Sequence, residues 1–107
     1  MRRAAQMTHV KTFWVYMLCC ADGSFYVGVT SNLEQRVVQR ERGDFEYCYT
    51  SSRRPVRLVY SQEFSDATDA IAAEKQLKGW SWAKKRALVE GDWLGIARLA
   101  RSGGGYR

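Results

Sequence analysis

One carboxylate stands at a position where a buried apolar side chain is expected. The apolar residues of the predicted helix 67–78 recur at helical spacing, and they are Ala67, Ala70, Ile71 and Leu77. Glu74 falls on the same stripe, where a carboxylate costs free energy unless it is paired or holds a metal ion. Two interpretations are open at this point: a glutamate at the rim of the core paired with a lysine or arginine, and a metal ligand.

Two tyrosines, Tyr16 and Tyr26, lie in neighbouring segments rich in β-forming residues, which the turn between them joins as a hairpin. With that turn centred on Ala21, Tyr16 lies directly opposite Tyr26, and both side chains point to one face of the sheet. Such a pair is typical of packing between strands. Gly28 lies two residues further on, and a glycine inside a strand often marks a close approach of a ligand or a backbone.

Positive charge is concentrated after Glu74. The segment 75–86 contains no acidic residue and carries the cations Lys75, Lys78, Lys84, Lys85 and Arg86. Trp80 and Trp82 lie among them, and cations interleaved with aromatic residues are typical of nucleic-acid-binding proteins. The whole chain has 17 Lys and Arg against 11 Asp and Glu, a net charge of +6 that favours a polyanionic partner. The alternative is a solvated helix face whose tryptophans pack on the core.

Three predicted strands and four predicted helices position these residues, in the order β-β-α-β-α-α-α. The strands cover 13–19, 25–30 and 56–60, and the helices cover 32–41, 67–78, 82–90 and 93–100. The pattern predicts an α+β fold, with a small three-stranded antiparallel sheet flanked by helices.

The first predicted helix carries two arginines beside its apolar stripe. Ser31 and Glu34 match a capping box at its start, and Gly43 is a plausible stop. Leu33 and Val37 are predicted to face the core. Arg36 and Arg40, also four residues apart, share a neighbouring stripe.

Length and composition exclude several classes of protein. A chain of 107 residues is expected to form one domain at 12–101, with a flexible basic arm at 1–11 and a flexible tail at 102–107. Its longest apolar stretch, 13–20, is far shorter than the ~20 residues that span a bilayer. The odd set of cysteines, without C-x-x-C spacing, is Cys19, Cys20 and Cys48. These are typical of thiols in a reducing cytosol, so we expect a cytoplasmic protein without a membrane partner.

In combination, these residues resemble the GIY-YIG nuclease domain, a family named after two strand motifs about ten residues apart. The corresponding segments here are Val15-Tyr16-Met17 and Tyr26-Val27-Gly28. Arg36 and Glu74 stand at the positions of the family's helix arginine and late glutamate. The resemblance covers roughly residues 12–90. The chain also looks like the short stand-alone bacterial branch of the family, to which the stretches 50–60 and 74–80 are similar.

The resemblance implies hydrolysis of phosphodiester bonds with one divalent ion, Mg²⁺ or Mn²⁺, and no small-molecule cofactor. Glu74 would hold the ion, which suits a hard cation that keeps several waters. Tyr16 would activate or position the attacking water, and Tyr26 would lie against the scissile phosphate. Arg36 would grip that phosphate and stabilise its charge in the transition state. Gly28 would let the backbone lie close under the substrate.

In the first strand motif, Trp14 stands where the leading Gly of the family is usual and Val15 where the middle Ile is usual. Two further departures concern the site. The residue four positions after the family's arginine is commonly His or Tyr, but here it is Arg40, which can contact phosphate but cannot transfer a proton. The late asparagine of some members has no counterpart, since Asn32 is the only asparagine. Turnover, rather than fold or phosphate binding, is the property that these departures affect.

The leading hypothesis is a metal-dependent endonuclease that acts on DNA, which is favoured over RNA although composition does not separate the two. We expect low sequence specificity or structure selectivity, because no separate DNA-reading domain is seen. The alternative is a nucleic-acid-binding module that has the nuclease fold but weak or no catalysis. A third hypothesis, a protein-interaction domain, predicts no salt-dependent DNA binding. The residues expected to contact nucleic acid are Gly28, Arg40, Lys75, Lys78, Lys84 and Lys85.

Overall fold

A computed structural model describes residues 11–45 and 49–104, and it contains the predicted order of elements. The strands are β1 (Phe13–Cys19), β2 (Phe25–Thr30) and β3 (Arg57–Phe64). The helices are α1 (Leu33–Arg42), α2 (Ala67–Lys78), α3 (Trp82–Val89) and α4 (Trp93–Gly104), and a short 3₁₀ turn (Ser51–Arg53) precedes β3. Within the described ranges the fold is therefore the predicted β-β-α-β-α-α-α arrangement.

The central strand β1 separates two cores. The sheet is antiparallel throughout, with strand order β2-β1-β3. On one face the buried residues are Val15, Met17, Val27, Ala70, Leu77 and Leu88, so that α2 and α3 cover this side. On the other face they are Tyr16, Leu18, Cys20 and Val56, against which Leu33 and Val37 of α1 pack. Alternation along β1 therefore places Tyr16 in the core under α1.

The predicted hairpin register is wrong by two residues. Tyr16 pairs with Gly28, and Tyr26 pairs with Leu18. The turn is centred on Asp22 rather than Ala21, because the Asp22 carboxylate accepts hydrogen bonds from the Ser24 backbone N–H and hydroxyl. These bonds also lower the pKa of Asp22. A shift of two residues keeps the side-chain parity, so both tyrosines stay on the predicted face.

Strand β3 is longer than predicted and contains one irregularity. It runs to Phe64, whereas the apolar alternation predicts an end at Tyr60. Met17 pairs with Tyr60 while Leu18 pairs with Leu58, so Val59 is an extra residue at this point of the ladder. This bulge explains why Val59 interrupts the apolar alternation of the strand.

Several helix details also differ from the prediction. The N-cap of α1 is Asn32, not Ser31, and its carboxamide oxygen accepts a hydrogen bond from the Gln35 backbone N–H. Asn32 is held there because its own N–H donates to the Thr30 hydroxyl. On α2, Ile71 is 43% exposed instead of buried. The backbone of α4 continues to Gly104, into the segment expected as a tail.

The corrected N-cap can be tested by stability measurements. We expect Asn32→Ala to lower the free energy of unfolding by about 1 kcal/mol, because the Gln35 N–H loses its side-chain acceptor. Ser31→Ala is the matched control and should change stability by less than about 0.5 kcal/mol. Urea denaturation followed by circular dichroism measures both. A larger loss of stability for Ser31→Ala than for Asn32→Ala would show that Ser31 is the N-cap, as the sequence predicts.

Candidate active site

Tyr16 and Tyr26 are diagonal neighbours on the sheet face that α1 covers. Their ring centroids lie 6.3 Å apart, with the planes tilted by 46°. Tyr16 is completely buried, and its hydroxyl has no hydrogen-bond partner among the residues that the structure describes. Buried hydroxyls are nearly always satisfied in folded proteins, so an unsatisfied one indicates a position that a water or a ligand completes.

Gly28 lies directly opposite Tyr16 in the hairpin. A β-carbon built on Gly28 would lie 2.5 Å from the Tyr16 hydroxyl oxygen and 2.6 Å from the ring carbon that carries it. Those distances leave no space for a side chain, so the glycine is required by the tyrosine ring. The close approach that the sequence indicates at this position is therefore an approach by Tyr16.

Glu74 is largely buried and has a cationic partner. Its side chain is 14% exposed, and its Oε2 lies 2.8 Å from the Lys78 Nζ, one turn further along α2. The hydrogen bond to Glu74 raises the pKa of Lys78, partial burial opposes this, and the charges of Glu74, Tyr26 and Tyr16 add to the increase. The pairing with a lysine, one of the two interpretations open from the sequence, is thus present, and Lys78 lies within electrostatic range of both tyrosines.

Arg40 is buried behind Tyr26, with 7% of the residue exposed. Its guanidinium donates to the Tyr26 hydroxyl at 2.8 Å and to the Thr50 hydroxyl at 3.2 Å. It also lies over the rings of Tyr26 and Phe45, at 4.5 Å and 4.4 Å from their centroids. Because the guanidinium can only donate, the Tyr26 hydroxyl oxygen is the acceptor in this bond. Arg36 is half-buried and approaches the Phe45 ring at 5.4 Å.

The loop before β3 contributes residues to which the sequence assigned no role. Tyr49 stacks on Tyr26 with centroids 6.2 Å apart, and the Arg53 guanidinium lies 3.8 Å from the Tyr49 centroid. Arg53 is fixed in turn by the Asp22 carboxylate of the hairpin turn, at 3.1 Å. The only sequence feature that could have indicated a role for this loop is its high content of aromatic residues and arginines. Nothing in the local sequence indicates which strand the loop contacts.

The cationic segment after Glu74 is divided between two places. Lys78 pairs with Glu74, whereas Lys84 lies 4.7 Å from the Trp80 ring centroid. Burial lowers the pKa of Lys85, and Lys75 is exposed. Trp82 stacks on Phe25 and donates its indole N–H to the Gly23 carbonyl, so the tryptophans have a packing role as well.

The donor set fits one hard cation with many water ligands. In the described part of the chain, no three residues among His, Cys, Asp and Glu are grouped as a metal cluster. A mostly buried single carboxylate, Glu74, suits Mg²⁺, which keeps several waters. His9 and Cys48 lie outside the described residues. No helix in the described ranges is long and apolar enough to cross a membrane.

Comparisons with known proteins identify what the chain is similar to. The model of the GIY-YIG catalytic domain matches residues 12–87. The UPF0213 protein of Lacticaseibacillus paracasei is 42% identical over 80 residues, covering 75% of this chain and 89% of that protein. The UPF0213 protein DP2720 of Desulfotalea psychrophila is 36% identical over 87 residues, covering 81% and 79%. The solution structure of EF2693 from E. faecalis is 30% identical, with a TM-score of 0.54 over 78% of this chain and 88% of that one.

The contact between Tyr16 and Gly28 can be tested by a glycine substitution. We expect Gly28→Ala to lower the free energy of unfolding by about 1–3 kcal/mol, because the new methyl group overlaps the buried ring. Gly79→Ala is the control, since its β-carbon would lie 3.5 Å from the nearest atom, the Gln76 carbonyl oxygen. Chemical denaturation measures both variants. Equal stability of the two would show that the Tyr16 ring is not held against Gly28.

Proposed function

Because the chain belongs to the GIY-YIG family, we propose that it is an endonuclease that hydrolyses phosphodiester bonds in DNA with one divalent metal ion. The observation that carries the proposal is the Tyr16 hydroxyl, which is buried beside Tyr26 and has no partner among the described residues. A purely structural tyrosine in a core is expected to satisfy its hydroxyl. In a nuclease, such a hydroxyl can position the attacking water.

The residues divide the work of hydrolysis in a way that the contacts support. The Tyr16 hydroxyl accepts a hydrogen bond from the attacking water and orients it towards phosphorus. Tyr26, whose oxygen accepts from Arg40, lies against the scissile phosphate. Arg36 binds the phosphate and stabilises the negative charge that develops on it. The P–O bond to the leaving oxygen breaks as the bond from the water oxygen to phosphorus forms; the attacking water gives up a proton to solvent, and the leaving oxygen takes one from solvent water.

Glu74 is the residue that would hold the metal ion. When bound, a divalent ion supplies Lewis-acid stabilisation of the charged phosphate. The Glu74 side chain is mostly buried, so it has few rotamers available and its carboxylate is held in one orientation on α2. Contacts of this type are made to phosphate groups, which carry no base identity, and we therefore propose a low sequence preference.

A second candidate function is supported by Arg40. Its guanidinium is buried against Tyr26 and Thr50, at the helix position where proton-transferring residues are common in the family. An arginine cannot exchange a proton at neutral pH. This favours, as the alternative, a module that binds nucleic acid and cleaves it slowly or not at all.

A plasmid assay separates the two functions. With supercoiled DNA and Mg²⁺ or Mn²⁺, we expect metal-dependent nicking that falls about 100-fold or more in Tyr16→Phe, because the water loses its orienting hydroxyl. Glu74→Ala should abolish the metal-dependent nicking, because the variant lacks the carboxylate that would hold the ion. Glu63→Gln, an exposed change on β3, is the control and should nick like the wild type. DNA retardation without nicking would support the binding module instead.

The cationic segment should contribute to binding through phosphate contacts. We expect the double variant Lys75→Gln/Lys84→Gln to reduce the slope of log K against log salt by roughly 1–2, since each lost phosphate contact contributes about 0.9. Lys11→Gln removes one exposed charge outside the segment and should leave the slope unchanged. Filter binding or fluorescence anisotropy at several salt concentrations measures the slope. An identical slope in all three proteins would place the phosphate contacts elsewhere.

A further inference from the structure

The ion pair between Glu74 and Lys78 joins the carboxylate assigned to the metal with a cation of the protein itself. The Nζ–Oε2 distance is 2.8 Å, which is a direct charge-assisted hydrogen bond. The described residues include no group of three potential ligands around a shared centre. Glu74 therefore supplies one negative charge for which a lysine and a divalent ion compete.

The two partners of this pair differ in how easily they can move. Glu74 is 14% exposed, whereas Lys78 is 55% exposed and lies in the last turn of α2. The lysine can rotate its four-carbon stem into solvent without disturbing the core, and the glutamate cannot. A cation from solvent can therefore bind a carboxylate that is already in place, while the Lys78 ammonium can move away from it.

We propose that Lys78 occupies the cation position at Glu74 in the metal-free protein and that a divalent ion must displace its ammonium group to bind there. The proposal rests on the proposed function in one respect, the role of Glu74 as the ligand. Two positive groups at one carboxylate repel each other, so the lysine lowers the affinity for the metal.

The displaced ammonium remains tethered next to the tyrosine site. Lys78 lies within electrostatic range of Tyr16 and Tyr26, the two residues assigned to the water and the phosphate. Once released from Glu74, it is available to the substrate phosphate that these tyrosines would contact. The lysine thus exchanges one anion for another as metal and substrate assemble.

A simpler explanation makes a different prediction. Glutamate followed by lysine four residues later is a common pair that stabilises helices by about 0.2–0.5 kcal/mol. If the pair only supports α2, removing the ammonium changes helix stability slightly and leaves metal affinity unchanged. Metal affinity, measured without substrate, therefore separates the two explanations.

The experiment measures Mn²⁺ binding to the full chain by calorimetry or by electron paramagnetic resonance of the free ion. We expect Lys78→Met to bind Mn²⁺ about three- to fivefold more tightly than the wild type, the range that corresponds to losing one partly exposed charge interaction. Lys78→Arg keeps the charge and should stay within about twofold of the wild type. Lys75→Met removes an exposed charge from the same helix and should have a smaller effect than Lys78→Met.

Glu74→Gln separates failure of this inference from failure of the proposed function. Loss of Mn²⁺ binding in Glu74→Gln, with unchanged or weaker affinity in Lys78→Met, would overturn the competition and leave Glu74 as the ligand. Wild-type affinity in Glu74→Gln would overturn both, because the metal would then bind elsewhere. Circular dichroism spectra confirm that each variant is folded before its affinity is compared.

Discussion

The ring of Tyr16 packs on the face of the sheet against Gly28, which has no side chain, and the arrangement of the site depends on that contact. Gly28 provides the space because the hairpin register places it directly opposite Tyr16. With any larger residue there, the ring would have to leave the core, and its hydroxyl would no longer lie beside Tyr26. The two tyrosines are thus positioned by strand pairing, which is among the most rigid features that a small domain can offer.

Two charged groups of the described residues, Arg40 and Glu74, are withdrawn from solvent together with partners. Arg40 enters the core under α1 with a hydroxyl acceptor on either side and aromatic rings at its faces. Glu74 enters the rim of the core with Lys78 beside it. Each arrangement offsets part of the desolvation cost of the charge and also fixes the orientation of a group that is central to the proposed chemistry.

Local sequence patterns predicted the helices and strands well, but they predicted strand register and contacts between distant segments less well. The bounds of the helix at 67–78, the burial of Ala70 and Leu77 and the largely buried position of Glu74 follow from the helical period, whereas Ile71 is exposed against the prediction. The family resemblance is confirmed by the match over 12–87. The hairpin register was missed because hydrogen bonds between the Asp22 and Ser24 side chain and backbone, not residue spacing, centre the turn. Tyr49 was missed because its stacking on Tyr26 joins a loop to a distant strand, which no local pattern encodes.

The net charge of +6 acts against the metal ion that the proposed function requires, and this shapes how the site assembles. A single carboxylate that is already paired with Lys78 offers a divalent cation little attraction in a positively charged domain. A bound phosphate changes this balance, because it adds negative charge next to Glu74 and gives Lys78 and Arg36 an anion of their own. On the proposed function, nucleic acid therefore completes the metal site. The excess of cations weakens metal binding in the free protein, but the same excess attracts the nucleic acid, whose phosphate then strengthens metal binding.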